Sequence, residues 1–182
     1  MLVRLTLLLC WLLLALPVSA QMYAGTGSLR LQSAGTDATT TLESSRLNLR
    51  YTCLPQGFRV MIKTAALGLG AEDSETAIVN EVLMAPSNAL MVMEWGGEDL
   101  PALCEGSPSL VNHPVELRIT FNDESVTLPG RMNLNAEADQ ISLDLEATLS
   151  LGAFGLYVRK PYQAVFSDEV TLSLLNVSLL RR

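Results

Sequence analysis

Residues 141–151 read Ile-Ser-Leu-Asp-Leu-Glu-Ala-Thr-Leu-Ser-Leu, and no other stretch limits the fold as tightly. Ile141, Leu143, Leu145, Ala147, Leu149 and Leu151 share one parity, while Ser142, Asp144, Glu146, Thr148 and Ser150 share the other. Successive side chains of an extended chain point to opposite faces, so these eleven residues make a strand with one dry face and one wet face. The same parity holds along Leu47-Leu49-Tyr51-Cys53, Phe58-Val60-Ile62 and Val115-Leu117-Ile119-Phe121. Pro55-Gln56-Gly57 supplies turn chemistry, so residues 47–64 read as a hairpin. Asn122-Asp123-Glu124 is a second turn, leading to a strand near Val126. Pro129-Gly130 predicts a bulge or bend in that strand. The last strand is apolar on both faces in places.

Strands are therefore expected near 26–32, 38–43, 47–53, 58–64, 89–95, 115–121, 126–135, 141–151 and 169–180. Eight or nine antiparallel strands with one-sided alternation make a closed barrel or a two-sheet sandwich, and the long strands favour a tilted barrel. One segment departs from period two. Asp73 or Ser74 can cap a helix beginning near Glu75, Ile78, Val79, Val82 and Leu83 share one of its faces, and Pro86 stops it. No repeat, linker or low-complexity tract divides the chain, so residues 21–182 read as one domain.

The first 20 residues read differently. Arg4 precedes a nearly unbroken apolar run from Leu5 to Leu16, Pro17 breaks it, and Val18-Ser19-Ala20 offers small residues to a signal peptidase. The run is shorter than the roughly 20 residues that cross a membrane. Residues 1–20, Cys10 among them, are expected to be a cleavable signal peptide, which places the mature chain from Gln21 in the periplasm or outside the cell. Without Arg4 that chain has 11 basic against 19 acidic side chains. An acidic chain without a basic cluster is a poor partner for nucleic acid or anionic surfaces. The two cysteines left, Cys53 and Cys104, are an isolated pair in an oxidising compartment and are expected to form a disulfide. A redox-active pair would need close spacing such as C-x-x-C, and they are far apart.

Catalytic chemistry is sparse. His113 is the only histidine, and it cannot build a zinc site without other strong ligands. Ser107 and Ser109 lie near it in sequence, but there is no G-x-S-x-G elbow. Gly25-Thr26-Gly27 and Gly68-Leu69-Gly70 lead into no phosphate-binding unit and read as turn or bulge glycines. The acidic pairs Glu72-Asp73, Glu98-Asp99, Asp123-Glu124 and Asp168-Glu169 are too short to hold calcium and read as solvated loop charge. No catalytic residue, metal or cofactor is expected, and the chain is not expected to be an enzyme. Met61, Met84, Met91, Met93 and Met132 fall in or beside predicted elements; such side chains suit an irregular apolar cavity and equally suit an ordinary core.

The order of features resembles the YceI-like family of secreted bacterial proteins. Thr148-Leu149-Ser150-Leu151-Gly152-Ala153-Phe154-Gly155-Leu156 is similar to that family's strand ending on an aromatic, Gly and an aliphatic. Asp168-Glu169-Val170-Thr171-Leu172-Ser173-Leu174 resembles its final strand, and Val126-Thr127-Leu128-Pro129-Gly130 a preceding one. Gly57-Phe58-Arg59-Val60-Met61-Ile62 followed by the helix 75–84 resembles its strand-then-helix passage. The resemblance implies a lipocalin-like barrel of about eight strands that binds a polyisoprenoid lipid. The inward face expected to line its lumen is Phe58, Val60, Ile62, Met91, Met93, Trp95, Leu117, Ile119, Phe121, Leu143, Leu145 and Phe154. The alternative is a structural or adhesive module with a filled core that binds a protein through a strand edge or loop.

Overall fold

The computed structural model describes residues 21–70, 72–97 and 100–182. The signal peptide expected at 1–20, Ala71 and the pair Glu98-Asp99 lie outside the described residues. Among the described residues the strands are β1 (Met22–Ala34), β2 (Thr39–Ser44), β3 (Leu47–Cys53), β4 (Gln56–Lys63), β5 (Leu90–Gly96), β6 (Ser109–Phe121), β7 (Glu124–Ala136), β8 (Gln140–Ser150) and β9 (Glu169–Arg181), with one α-helix, α1 (Asp73–Glu81). All neighbours run antiparallel in the order β2-β1-β3-β4-β5-β6-β7-β8-β9, and β9 returns to pair with β1. That pairing closes the sheet into a barrel, with β2 left paired on one side only.

Nine strands make an eight-strand barrel because β2 and β3 lie end to end along the same edge of β1. Leu29 pairs with Ser44 and Gly25 with Leu49, so the interruption at Ser45-Arg46 adds one residue opposite β1. Alternation drives closure. On β8, Ile141, Leu143, Leu145, Ala147 and Leu149 are all buried while the residues between them face out. The Asn122-Asp123 turn has both residues at positive φ, +52° and +60°, the backbone that a two-residue hairpin demands.

Bulges explain what strict alternation does not. Along β9, Val170, Leu172 and Leu174 are buried, and then Val177 and Leu179. The parity changes at Asn176, whose φ is +53° and whose amide donates to Asp144 Oδ1 at 2.7 Å. This single extra residue is why the last strand reads as apolar on both faces. The bend expected at Pro129-Gly130 is not there: β7 keeps its register with β6 through both residues. Pairing with β8 begins only at Gly130, so Pro129 stands one residue outside that ladder, where a missing amide is tolerated. The bulge in this hairpin is on β6 instead, between Leu110 and His113, with Asn112 at φ +52° and its amide donating to Asn133 Oδ1 at 2.8 Å.

Helix α1 begins two residues before the expected start. Glu72 takes the cap position, and its own amide donates to the Glu75 carboxylate at 3.2 Å. The helix's last residue is Glu81, and the chain turns away at Met84, φ +52°, with the Ala85 amide donating to the Val79 carbonyl, before Pro86. Ile78, Val79, Val82 and Leu83 are buried as one face. The helix, the 3-10 turn Thr64–Gly68 and residues 151–168 cover one end of the barrel, tied down by Ser33 and Thr40 hydroxyls on the carbonyls of Ser167, Glu169 and Val165. At the other end Leu100 and Leu103 are buried, and Gln56 Nε2 donates to the carbonyls of Leu100 and Pro101. Cys53 and Cys104 are bonded there, Cα atoms 6.0 Å apart, pinning this connection to the end of β3.

Candidate functional site

The inward faces meet in one apolar interior. β4 contributes Phe58, Val60 and Ile62, β5 Met91, Met93 and Trp95, β6 Leu117, Ile119 and Phe121, and β8 Leu143 and Leu145. Phe154 enters from the 3-10 turn Leu151–Phe154 and meets Phe121 edge to face, ring centroids 6.1 Å apart. Register stacks these side chains in layers: Val60 beside Met93, and Met93 beside Ile119. All twelve expected lumen residues are thus brought together, and their exposures run from 0 to 4%. Values that low mean the side chains themselves fill this part of the barrel.

Among the described residues the interior carries no charged side chain. The buried polar residues are Ser33, Thr40, Ser44, Thr64 and Asn88, all neutral and at the helix end of the barrel. Among the described residues no three His, Cys, Asp or Glu side chains are grouped to hold a metal ion. Asp168 is occupied structurally, accepting from the Ser150 hydroxyl at 2.5 Å and the Gly152 amide at 2.8 Å. His113 stands in β6 opposite Met132, Ser109 is exposed on the far side of the bulge, and Ser107 is exposed in the preceding loop.

The disulfide end is different in chemistry. Tyr23, Tyr51, Phe58 and Trp95 face one another in register across β1, β3, β4 and β5. Tyr51 and Phe58 centroids are 4.6 Å apart, Phe58 and Trp95 stack at 4.9 Å, and Tyr23 meets Tyr51 edge to face at 6.0 Å. Three polar atoms at this end are buried without a hydrogen-bond partner: Tyr51 Oη, Trp95 Nε1 and Gln21 Oε1. Burial pushes the Tyr51 phenol up to about 12; the Leu103 backbone partly offsets that without making a well-directed bond. Tyr51 therefore stays protonated, a donor, through the physiological range. Alternation identifies Tyr51 as inward, but nothing in the sequence marks its hydroxyl as unpaired, because that depends on how the segment carrying Cys104 folds over it.

Eight closed antiparallel staves around an apolar interior, with one helix across an end, make a lipocalin-like barrel. A polyisoprenoid-binding domain from Saccharophagus degradans, implicated in plant cell wall breakdown, superposes with a TM-score of 0.69 at 11% identity, over 88% of this chain and 98% of that one. The fold is that of the YceI-like barrels. BcnA from Burkholderia cenocepacia superposes at 0.56 with 12% identity, over 82% of this chain and 95% of that one. No protein-family model matches the chain, and no curated protein matches it significantly. The structural neighbour whose ligand is named is thus a binding domain. No helix among the described residues is long and apolar enough to cross a membrane.

Proposed function

We propose that the protein is a secreted or periplasmic, non-enzymatic binding protein that holds a long apolar ligand, a polyisoprenoid or related lipid, in the interior of its barrel. The supporting observation is an inward face without a charged side chain among the described residues, in the fold of a polyisoprenoid-binding domain. Each CH₂ moved from water into that interior is worth up to about 0.8 kcal/mol, so a prenyl chain needs no charged anchor. Met91, Met93 and Met132 are flexible enough to move aside for it. The leader and the disulfide fit an extracytoplasmic site of action.

Native mass spectrometry of protein purified from its own compartment, followed by solvent extraction, tests this. A co-purified prenyl lipid, lost in Leu145→Phe, which overfills the interior, is the expected result. A ligand-free mass together with no uptake of added prenyl lipids overturns it. The filled interior favours a second reading, a structural module that binds a protein partner through a loop or a strand edge, since β2 pairs only with β1 and β5 pairs with β6 only at Arg118, Ile119 and Thr120. That reading requires a specific protein partner and unchanged partner binding in Leu145→Phe.

A further inference from the structure

The sequence shows no basic cluster, but pairing assembles one on the outer faces of β3, β4 and β5. Register sets Arg50 directly opposite Arg59 and Lys63 opposite Leu90. Arg46 immediately precedes β3, and with Lys63 it lines a groove of about 530 Å³. The apolar lining of that groove includes Leu47, Met61, Leu69 and Leu90, and the two last are 56% and 45% exposed. After residue 20 the chain has 11 basic and 19 acidic side chains. The outer positions of these three strands, with Arg46, hold four of the basic ones and only Glu94 of the acidic ones, leaving seven against 18 elsewhere. Glu94 is paired with Arg59 at 3.4 Å, and Glu43, which lines an adjoining cleft with Arg46, is paired with Arg30 at 3.0 Å. Among the described residues Arg46 and Lys63 have no carboxylate within ion-pair distance. Like charges directly opposite on a sheet repel, and an anionic surface laid on this face offsets the repulsion between Arg50 and Arg59. Exposed leucines beside long cationic side chains match a bilayer surface, where the stems lie on hydrocarbon and the charges reach the phosphates. A folded acidic partner would need carboxylates at fixed places; a fluid anionic bilayer needs none.

We propose that the outer face of β3–β5 docks the protein on an anionic lipid bilayer, with Leu69 and Leu90 entering the interface and Arg46, Arg50, Arg59 and Lys63 meeting lipid phosphates. The proposal does not rest on the interior of the barrel binding lipid. Flotation of protein purified from its own compartment tests it, with vesicles of phosphatidylglycerol and phosphatidylcholine in equal parts beside vesicles of phosphatidylcholine alone. Binding is expected to the anionic vesicles only, and it should weaken as salt rises. Arg46→Gln with Lys63→Gln, both at exposed sites, should weaken it about 20-fold to 30-fold, the product of the two charges removed. Tryptophan substitutions locate the contact, with the parent, whose Trp95 is buried, as baseline. Fluorescence of Leu69→Trp should shift to the blue on anionic vesicles, and that of Leu180→Trp, at an exposed position on β9, should not. No binding to anionic vesicles, which is what an acidic protein partner at this face would give, overturns the proposal. So does equal binding to both kinds of vesicle, or binding unchanged by the double substitution. A Leu69→Trp spectrum that does not move, or a Leu180→Trp shift equal to it, overturns the assignment of this face.

Discussion

Burial of the Tyr51 phenol has consequences for stability that one substitution isolates. In the unfolded chain the group ionises near 10, and in the folded protein near 12. Between those values the unfolded state gives up its proton and the folded state keeps it. Stability therefore falls as pH rises through that window, by about 1.4 kcal/mol per pH unit, and below pH 10 the residue adds no slope. Tyr51→Phe should remove this component, visible as a shallower loss of stability in urea unfolding from pH 9.5 to 11.5. Near neutral pH the same variant should be as stable as the parent or slightly more so, because it deletes a buried hydroxyl that no partner satisfies. Gly25 shows the opposite constraint. A Cβ built there would lie 1.8 Å from the Ser178 carbonyl oxygen, a backbone atom on the strand that closes the barrel. Gly25→Ala is expected to lower unfolding free energy by about 2 kcal/mol or more, read from the denaturation midpoint at unchanged m-value.

At the scale of elements, the parity of single strands is a local property, and it was legible wherever the backbone is regular. Phe58-Val60-Ile62 and Leu117-Ile119-Phe121 point where their spacing says. The bulges were not legible, because Asn112 and Asn176 are asparagines in otherwise ordinary strands and their extra residue is set by the register of the neighbouring strand. Pro129-Gly130 misled for the matching reason: a proline breaks a ladder only where that ladder needs its amide. The strand β6 starts at Ser109, six residues before its clear alternation, since its first turns are held by pairing with Leu134 and Asn135 and not by its own pattern. The disulfide, by contrast, followed from counting cysteines. It closes a loop of 51 residues, for which the chain-entropy account gives about 4 kcal/mol. Cys53→Ser with Cys104→Ser should lose about that much in calorimetric stability, and the loss should equal that of the reduced parent. A loss confined to one of the two would show that the cysteine side chains, not the cross-link, carry the effect.

For the whole molecule, the antiparallel run from β3 to β9 is built from neighbours in sequence, which makes it readable; the closing contact between β1 and β9 joins the two ends of the chain and is not. The same limit governs the site. Eleven of the twelve inward residues are named by alternation, Phe154 lying in the 3-10 turn beyond β8, but whether they enclose space or fill it depends on barrel radius and side-chain packing together. They fill it, with exposures of 4% or less. A prenyl chain that enters must therefore take the place of protein side chains, and its affinity is the difference between the two packings. Met93 sits at 0% exposure between Val60 and Ile119, at the middle of the barrel. Met93→Ala should destabilise the ligand-free protein by about 2–5 kcal/mol, the usual range for a buried methionine truncated to alanine. It should also tighten prenyl binding, because the ligand then fills a cavity in place of displacing a side chain. Thermal unfolding with and without farnesol, beside a Trp95 fluorescence titration, reads both effects on one variant. Lower stability with unchanged affinity would place the ligand outside the interior, and lower stability with weaker affinity would mean that Met93 is part of the surface the ligand grips.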